Sequence, residues 1–270
     1  MLADKENRPY LAASSYSNSA PLIWSFWHGL RQTEVNLMTD AAPSKCAEML
    51  RQGEVSVALT PVIEYQRISE TLIIPDACVG SKDQVRSVIL VTKGDELKTA
   101  KSVALDFSSR TSVALTQIIF REFYDHQPEW IPHRPVIDEM LAKHDAALLI
   151  GDPALNLDRE KFRVFDIVEL WRGFTGCGFV FAFWLARQEA IEKVRKIDFA
   201  RARDEGLTKV EEIMDFYSSE VSLARADFRR YLLENINYTL EEEMLSGLKL
   251  YYQLAHKNAL IPDLKSLNFL

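Results

Sequence analysis

Short apolar runs alternate with polar turns along the first two thirds of the chain. The run at 10–14 reads as a first strand, 35–38 as a second and 55–59 as a third. Between them, 20–30 is apolar and aromatic at helical spacing, and Pro21 is acceptable in a first turn. Pro43 and Ser44 open a second helix that runs to Arg51 and stops at Gly53. The turns fall at 15–18 and 39–43. The third run is continuously apolar, as strands buried on both faces are. This β-α-β-α-β order predicts a doubly wound parallel sheet.

The pattern then starts again. Residues 85–92 read as a strand crossing to a second lobe, Lys93-Gly94-Asp95 as a turn, 102–107 as a strand and 111–124 as a helix. The stretch 128–135 carries three prolines and reads as irregular. A short helix at 136–143 and buried strands at 146–150 and 179–186 follow. Beyond Gln188 the pattern is helical, with possible capping boxes at Thr208–Glu211 and Thr239–Glu242. The expectation is a two-lobed α/β protein with a ligand cleft and a helical C-terminal segment. Lobe 1 would comprise 1–90 and 188–270, the tail packing back on it, and lobe 2 would comprise 91–187.

Composition narrows the function classes. Of 270 residues 47% are apolar, enough for a proper core. The net charge is −7 and no basic run is present, which argues against nucleic acid as a partner. Cys46, Cys78 and Cys177 are widely spaced and read as small apolar residues rather than as a disulfide or zinc framework. The five histidines show no metal-ligand spacing, and no nucleotide-binding or hydrolase motif occurs, so neither metal nor cofactor is expected. Residues 1–8 lack an apolar leader, and the most apolar stretch is far too short to span a membrane. A soluble, cytoplasmic protein with no membrane partner is expected. The oligomeric state stays open, a homodimer being one alternative.

Four hydroxyl- or glycine-bearing turns, 15–18, 85–88, 108–112 and 150–152, sit where parallel strands would hand over to helices. Open parallel sheets bind ligands there. Asn18 can donate to and accept from a ligand, or simply shape a turn. The run Ser108-Ser109-Arg110-Thr111-Ser112 offers a helix start with added hydroxyls, suited to an anion, or a plain cap. Ser87 is a weaker candidate of the same kind. Gly151 allows close backbone approach, and Asp152 could orient a ligand hydroxyl or cap a turn. Glu64 could face the cleft or pair with a cation. Thr175 and Gly176 introduce the strand at Phe179 and could supply cleft-facing backbone.

Taken in order, Ser15 to Leu22, Ala42-Pro43-Ser44, Leu59 to Tyr65, Val85 to Leu90, Ser109 to Leu115, Ala147 to Leu155, Asp166 to Trp171 and Thr175 to Ala182 resemble the chorismate dehydratases of the futalosine route to menaquinone. The resemblance covers roughly residues 8–190. It implies a type II periplasmic-binding-protein-like fold used for catalysis, chorismate as substrate, loss of water as the reaction, and no cofactor. Under it, Asn18, Ser87 and Asp152 are the expected catalytic residues. Ser44, Glu64, Ser109, Arg110, Thr111, Ser112, Gly151, Thr175 and Gly176 are the expected substrate-binding residues. The proton acceptor stays open between the substrate's own enolpyruvyl carboxylate and Glu64 or Asp152. A sister family, which makes dihydroxynaphthoate, typically carries a catalytic histidine in an Ile-His-Glu context, where this chain has Ile150-Gly151-Asp152. Ser17 and Cys177 depart from the dehydratase pattern, at positions usually held by Leu and by an apolar residue or Pro. The rival reading from another class is a small-anion receptor, since the fold also serves transport.

Overall fold

Residues 8–40 and 42–270 are described in a computed structural model of the chain. The leader reading at residues 1–7, and Ala41 of the expected turn, lie outside the described residues. In chain order the strands are β1 (Tyr10–Ser14), β2 (Asn36–Asp40), β3 (Val57–Pro61), β4 (Thr71–Ser81), β5 (Val88–Thr92), β6 (Ser102–Asp106), β7 (Glu129–His133), β8 (Ala146–Ile150), β9 (Arg163–Asp166) and β10 (Phe179–Arg187). They form two five-stranded sheets, ordered β2-β1-β3-β10-β4 and β7-β6-β8-β5-β9. The helices between them are α1 (Ala20–Trp27), α2 (Pro43–Gln52), α3 (Ile63–Arg67), α4 (Arg110–Ile118), α5 (Ile137–Lys143), α6 (Gly151–Leu155) and α7 (Ile167–Thr175). After β10 come α8 (Ile191–Val194), α9 (Phe199–Leu207), α10 (Val210–Phe216), α11 (Arg225–Arg230) and α12 (Glu242–Lys257).

The sheets are mixed, not parallel throughout. β10 runs antiparallel to both β3 and β4, and β5 antiparallel to both β8 and β9. In each case the chain crosses from one sheet straight into the other and enters it at the cleft end, so the arriving strand runs the opposite way. By sheet membership the crossings lie between Ser81 and Val88 and between Asp166 and Phe179. Ser87 therefore opens a strand rather than closing one. It reaches the cleft because β5 is antiparallel to β8, with Val88 paired to Ile150.

Local chemistry explains most boundaries. Gly53 ends α2 with φ +76°, a left-handed conformation that glycine adopts without strain. Asp166 caps α7, its carboxylate accepting from Val168 N at 2.9 Å. Residues 128–135 are not irregular throughout: β7 forms within them at the edge of the second sheet, where Pro132 costs no ladder bond. β4 escapes sequence reading because Pro75 and Asp76, with φ +58° at Asp76, interrupt its apolar alternation. Its pairing with β10 shifts register there. Neither expected capping box forms. Thr208 follows α9 and donates to Glu205 O, while Thr239 accepts from Arg203; α10 and α12 begin without a side-chain cap.

The C-terminal helices do more than cover the first sheet. α9 packs on α1, and α12 packs on both β10 and α4, so the tail touches both lobes. Cys46 and Cys78 are buried, whereas Cys177 is half-exposed. Where α9 meets α1, a Cβ on Gly206 would run into the carbonyl of Pro21. Gly206→Ala should destabilise the protein by about 1–3 kcal/mol, the usual cost of overpacking a tight contact. Urea unfolding should show a lower midpoint with an unchanged slope.

Candidate functional site

Between the sheets lies a cavity of about 580 Å³, its open mouth included. Each lobe contributes chain ends that the topology brings to one place. From the first come Ser14 at the end of β1, Tyr16, Asn18 and Ser19 after it, Pro61 at the end of β3, and Phe181 and Ala182 of β10. From the second come Val85 and Val88 around the start of β5, Ser109, Thr111 and Ser112 at the start of α4, and Ile150 and Gly151 after β8. Among the described residues no charged side chain lines it.

The wall at α4 is a helix start. Its first turn, Arg110-Thr111-Ser112, carries N–H groups without intrahelical partners and the positive end of the dipole. It is held from two directions. Thr111 Oγ1 accepts from Ile63 N at 3.3 Å, and the Tyr251 hydroxyl donates to Thr111 O at 3.2 Å. Beneath it, Asp106 accepts from Ser108 N and Oγ at 2.9 and 2.6 Å, and burial raises its carboxyl above the ordinary range.

Opposite, the turn after β1 meets the turn after β8. Gly151 has φ +65° and lies under the Tyr16 ring, where a Cβ would come within 2.9 Å of two ring carbons. Gly151 N donates to Ser87 O at 2.7 Å, tying the β8 turn to the start of β5. Asp152 does not line the cavity. Its carboxylate accepts from Ser17 N at 3.1 Å and from the Ser17 hydroxyl, which links the lobes. Tyr217 braces the same turn by donating to Ser15 O at 2.8 Å.

The expected site residues thus divide. Asn18, Ser109, Thr111, Ser112 and Gly151 line the cavity. Ser87 sits just behind it, fully buried, its hydroxyl without a hydrogen-bond partner among the described residues. Glu64 lies outside, 0% exposed, its carboxylate shared by Arg51 at 2.6 Å, Arg67 at 3.0 Å and Arg110 at 2.9 Å. Arg110 belongs to α4 and Glu64 to α3, so this network also joins the lobes. Ser44 lies on α2 outside the lining, although its neighbour Pro43 is part of it. Thr175 and Gly176 end α7, where Thr175 donates to Trp171 O at 2.8 Å, and they do not line the cavity. Sequence reading assigned no role to Tyr16, Phe181 or Tyr231. Tyr16 stood within a quoted turn, but nothing local marked its ring as the cover of Gly151.

A family model described as menaquinone biosynthesis matches residues 9–257. The chain belongs to that family. Its role therefore lies in menaquinone biosynthesis, within a family that includes enzymes. Among solved structures, protein AF1704 from Archaeoglobus fulgidus is similar with a TM-score of 0.75 and 17% identity, over 94% of this chain and 99% of that one. The periplasmic aliphatic sulphonate binding protein SsuA from Escherichia coli aligns at 0.65 and 17% identity, over 95% and 94%. A Candida albicans gene product described as having the generic periplasmic binding protein fold aligns at 0.64 and 12%, over 97% of each chain. The family member has the two-lobed periplasmic-binding-protein-like fold, closed by the C-terminal helices. Among the described residues no helix is long and apolar enough to cross a membrane.

Two predictions follow from the charges around the cavity. Glu64→Gln would leave three guanidinium groups facing a neutral amide. It should cost about 2 kcal/mol of stability, once the partial exposure of the arginines is discounted, read by urea unfolding. Asp152 carries the opposite lesson. Burial raises its pKa above the ordinary 3.8, outweighing the Ser17 hydrogen bonds that lower it. The native state therefore holds this proton more tightly than the unfolded chain. Its contribution is full below pH 3.8 and is lost as pH rises through the native value. Asp152→Asn should remove this loss, so its melting temperature relative to the parent should climb over that interval.

Proposed function

We propose that this family member is a chorismate dehydratase, eliminating water from chorismate to give 3-[(1-carboxyvinyl)oxy]benzoate. The observation that carries the reading is a lining of the inter-lobe cavity that, among the described residues, bears hydroxyls and an amide but no charged side chain, beside the start of α4. Such a site suits a substrate that brings its own charge and its own base. Helix-start N–H groups and the hydroxyls of Ser109, Thr111 and Ser112 would take a carboxylate. The same donors stabilise charge that spreads into the ring carboxylate as the ring C3 proton leaves.

The step balances within the substrate. The enolpyruvyl carboxylate takes the C3 proton, and the C3–H electron pair becomes the new ring double bond. The C4–O bond breaks, and the departing hydroxide takes that same proton from the enolpyruvyl carboxylic acid and leaves as water, which restores the carboxylate. The diene becomes an aromatic ring, which supplies the driving force. The enzyme's part is to hold the reactive conformer and exclude competing rearrangements. Asn18, on the cavity wall, would orient the leaving hydroxyl or the enolpyruvyl arm. The placement of Glu64 among three arginines and of Asp152 against Ser17 favours the substrate's carboxylate over either as base. The sister reaction is disfavoured because the Tyr16 ring occupies the space a side chain at Gly151 would need.

The test is incubation of the purified protein with chorismate and no added cofactor, followed by mass spectrometry. A product lighter by one water is expected, and Asn18→Ala should lower kcat/KM about a hundredfold or more. Tight chorismate binding without turnover would instead favour the receptor reading, the activity by which the similar sulphonate-binding protein is named.

A further inference from the structure

The turn that carries Asn18 is capped from the other lobe. Ser17–Ser19 form a tight helical turn that runs straight into α1, and Tyr16, the residue before it, makes no side-chain cap. A helix start usually takes its cap from a Ser, Thr, Asp or Asn next to it in the chain. Here the cap comes from Asp152 of α6, 135 positions away. Its two carboxylate oxygens accept from Ser17 N at 3.1 and 3.3 Å, and one of them also accepts from the Ser17 hydroxyl. Ser17 is 0% exposed and Asp152 only 7%, so water competes little for these bonds.

Neither partner lines the cavity, yet each stands next in the chain to residues that do. Ser17 lies between Tyr16 and Asn18, and Asp152 follows Gly151. The pair thus ties two cavity walls together one residue behind their surface. The Asn18 amide moves with its turn, because its Oδ1 accepts from the Ser19 hydroxyl at 3.3 Å, a bond inside that turn. The anchorage of the turn therefore places the amide, and the bonds from Ser17 to a buried carboxylate are its anchor in the opposite lobe. Hydrogen bonds to a charged acceptor are the stronger kind and fix direction as well as distance. Both oxygens of Asp152 are engaged by Ser17, behind the lining rather than in it.

We propose that Ser17 and Asp152 are a positioning pair that holds Asn18 at its working place against the opposite wall. Asp152 then serves the reaction through Ser17 and not by taking a proton. The inference rests on the dehydratase reading for the identity of the reaction. It gives Ser17, a residue outside the expected site, a part in it. The pair acts as one unit and through Asn18, so its effect must vanish when Asn18 is gone.

The experiment is a set of double-mutant cycles on the full chain with Ser17→Ala, Asp152→Asn and Asn18→Ala, with kcat, KM and the chorismate Kd measured for each variant. Thermal unfolding checks the fold. Ser17→Ala and Asp152→Asn should each lower kcat about tenfold with little change in KM, as loss of one well-aimed hydrogen bond gives. The Ser17→Ala, Asp152→Asn double variant should be no slower than either single one. In the Asn18→Ala background neither change should have a further effect. A fall of a hundredfold or more in Asp152→Asn beside an unchanged Ser17→Ala, which is the mark of a lost general acid or base, would overturn the proposal. So would additive effects, or an unchanged kcat in both single variants. Should Asp152→Asn fail to fold, the cycle of Ser17→Ala with Asn18→Ala decides alone. If the parent binds chorismate without turnover, the dehydratase reading fails by itself, and the same cycles read in Kd still decide the positioning role. A parent that neither binds nor converts chorismate overturns both.

Discussion

The meeting of Gly151 with the Tyr16 ring is the contact on which the rest of the site depends. A left-handed backbone at φ +65° with no side chain lets the turn after β8 slide beneath an aromatic ring of the other lobe. That approach brings Asp152 within reach of Ser17 and lets Gly151 N bond to Ser87 O. The cavity wall thus forms from two turns locked face to face. Any larger residue at this point would hold the lobes apart and open the cavity to water.

Charge is handled by the same logic throughout. Glu64 is neutralised by arginines from both lobes, and Asp166 accepts from Val85 N and Arg86 N at 3.3 and 2.6 Å. Asp106 and Asp152 are bound by hydroxyls and backbone N–H groups. These carboxylates are thereby occupied in holding the walls, and among the described residues the lining carries no charge. An uncharged, preorganised set of donors serves a reaction in which charge shifts within a bound anion, because the donors need not reorganise as it moves.

The two reversed strands give the cavity residues that a purely parallel sheet could not. β5 and β10 start at the cleft, so Val88 and the backbone of Ser87 arrive from a strand's beginning, as do Phe181 and Ala182. The C-terminal helices then reach the site from behind. Tyr251 supports the start of α4 and Tyr217 the turn after β1. A tail whose charge pattern suggests only a solvated face supplies two tyrosine hydroxyls to the walls.

Local pattern determined much of this protein. Continuous apolar runs marked β1, β3, β8 and β10, and Pro43 and Gly53 bounded α2, because burial and backbone freedom act over a few residues. The hydroxyl-rich turn before α4 and the glycine after β8 were legible as ligand-facing for the same reason. β4 was lost to its bulge at Asp76, and β7 to its prolines, since pairing partners override local preference. Sequence reading offered Glu64 a cation or the cleft, but that Arg110 joins Arg51 and Arg67 on it from the other lobe was beyond that reading, because residues distant along the chain decide it. So was Tyr217, whose hydroxyl meets Ser15 O only when the tail folds back. The sequence by itself determined the elements and the chemistry of the turns. Only the tertiary structure decided which turns face one another, because the approach of two lobes depends on contacts between residues distant along the chain.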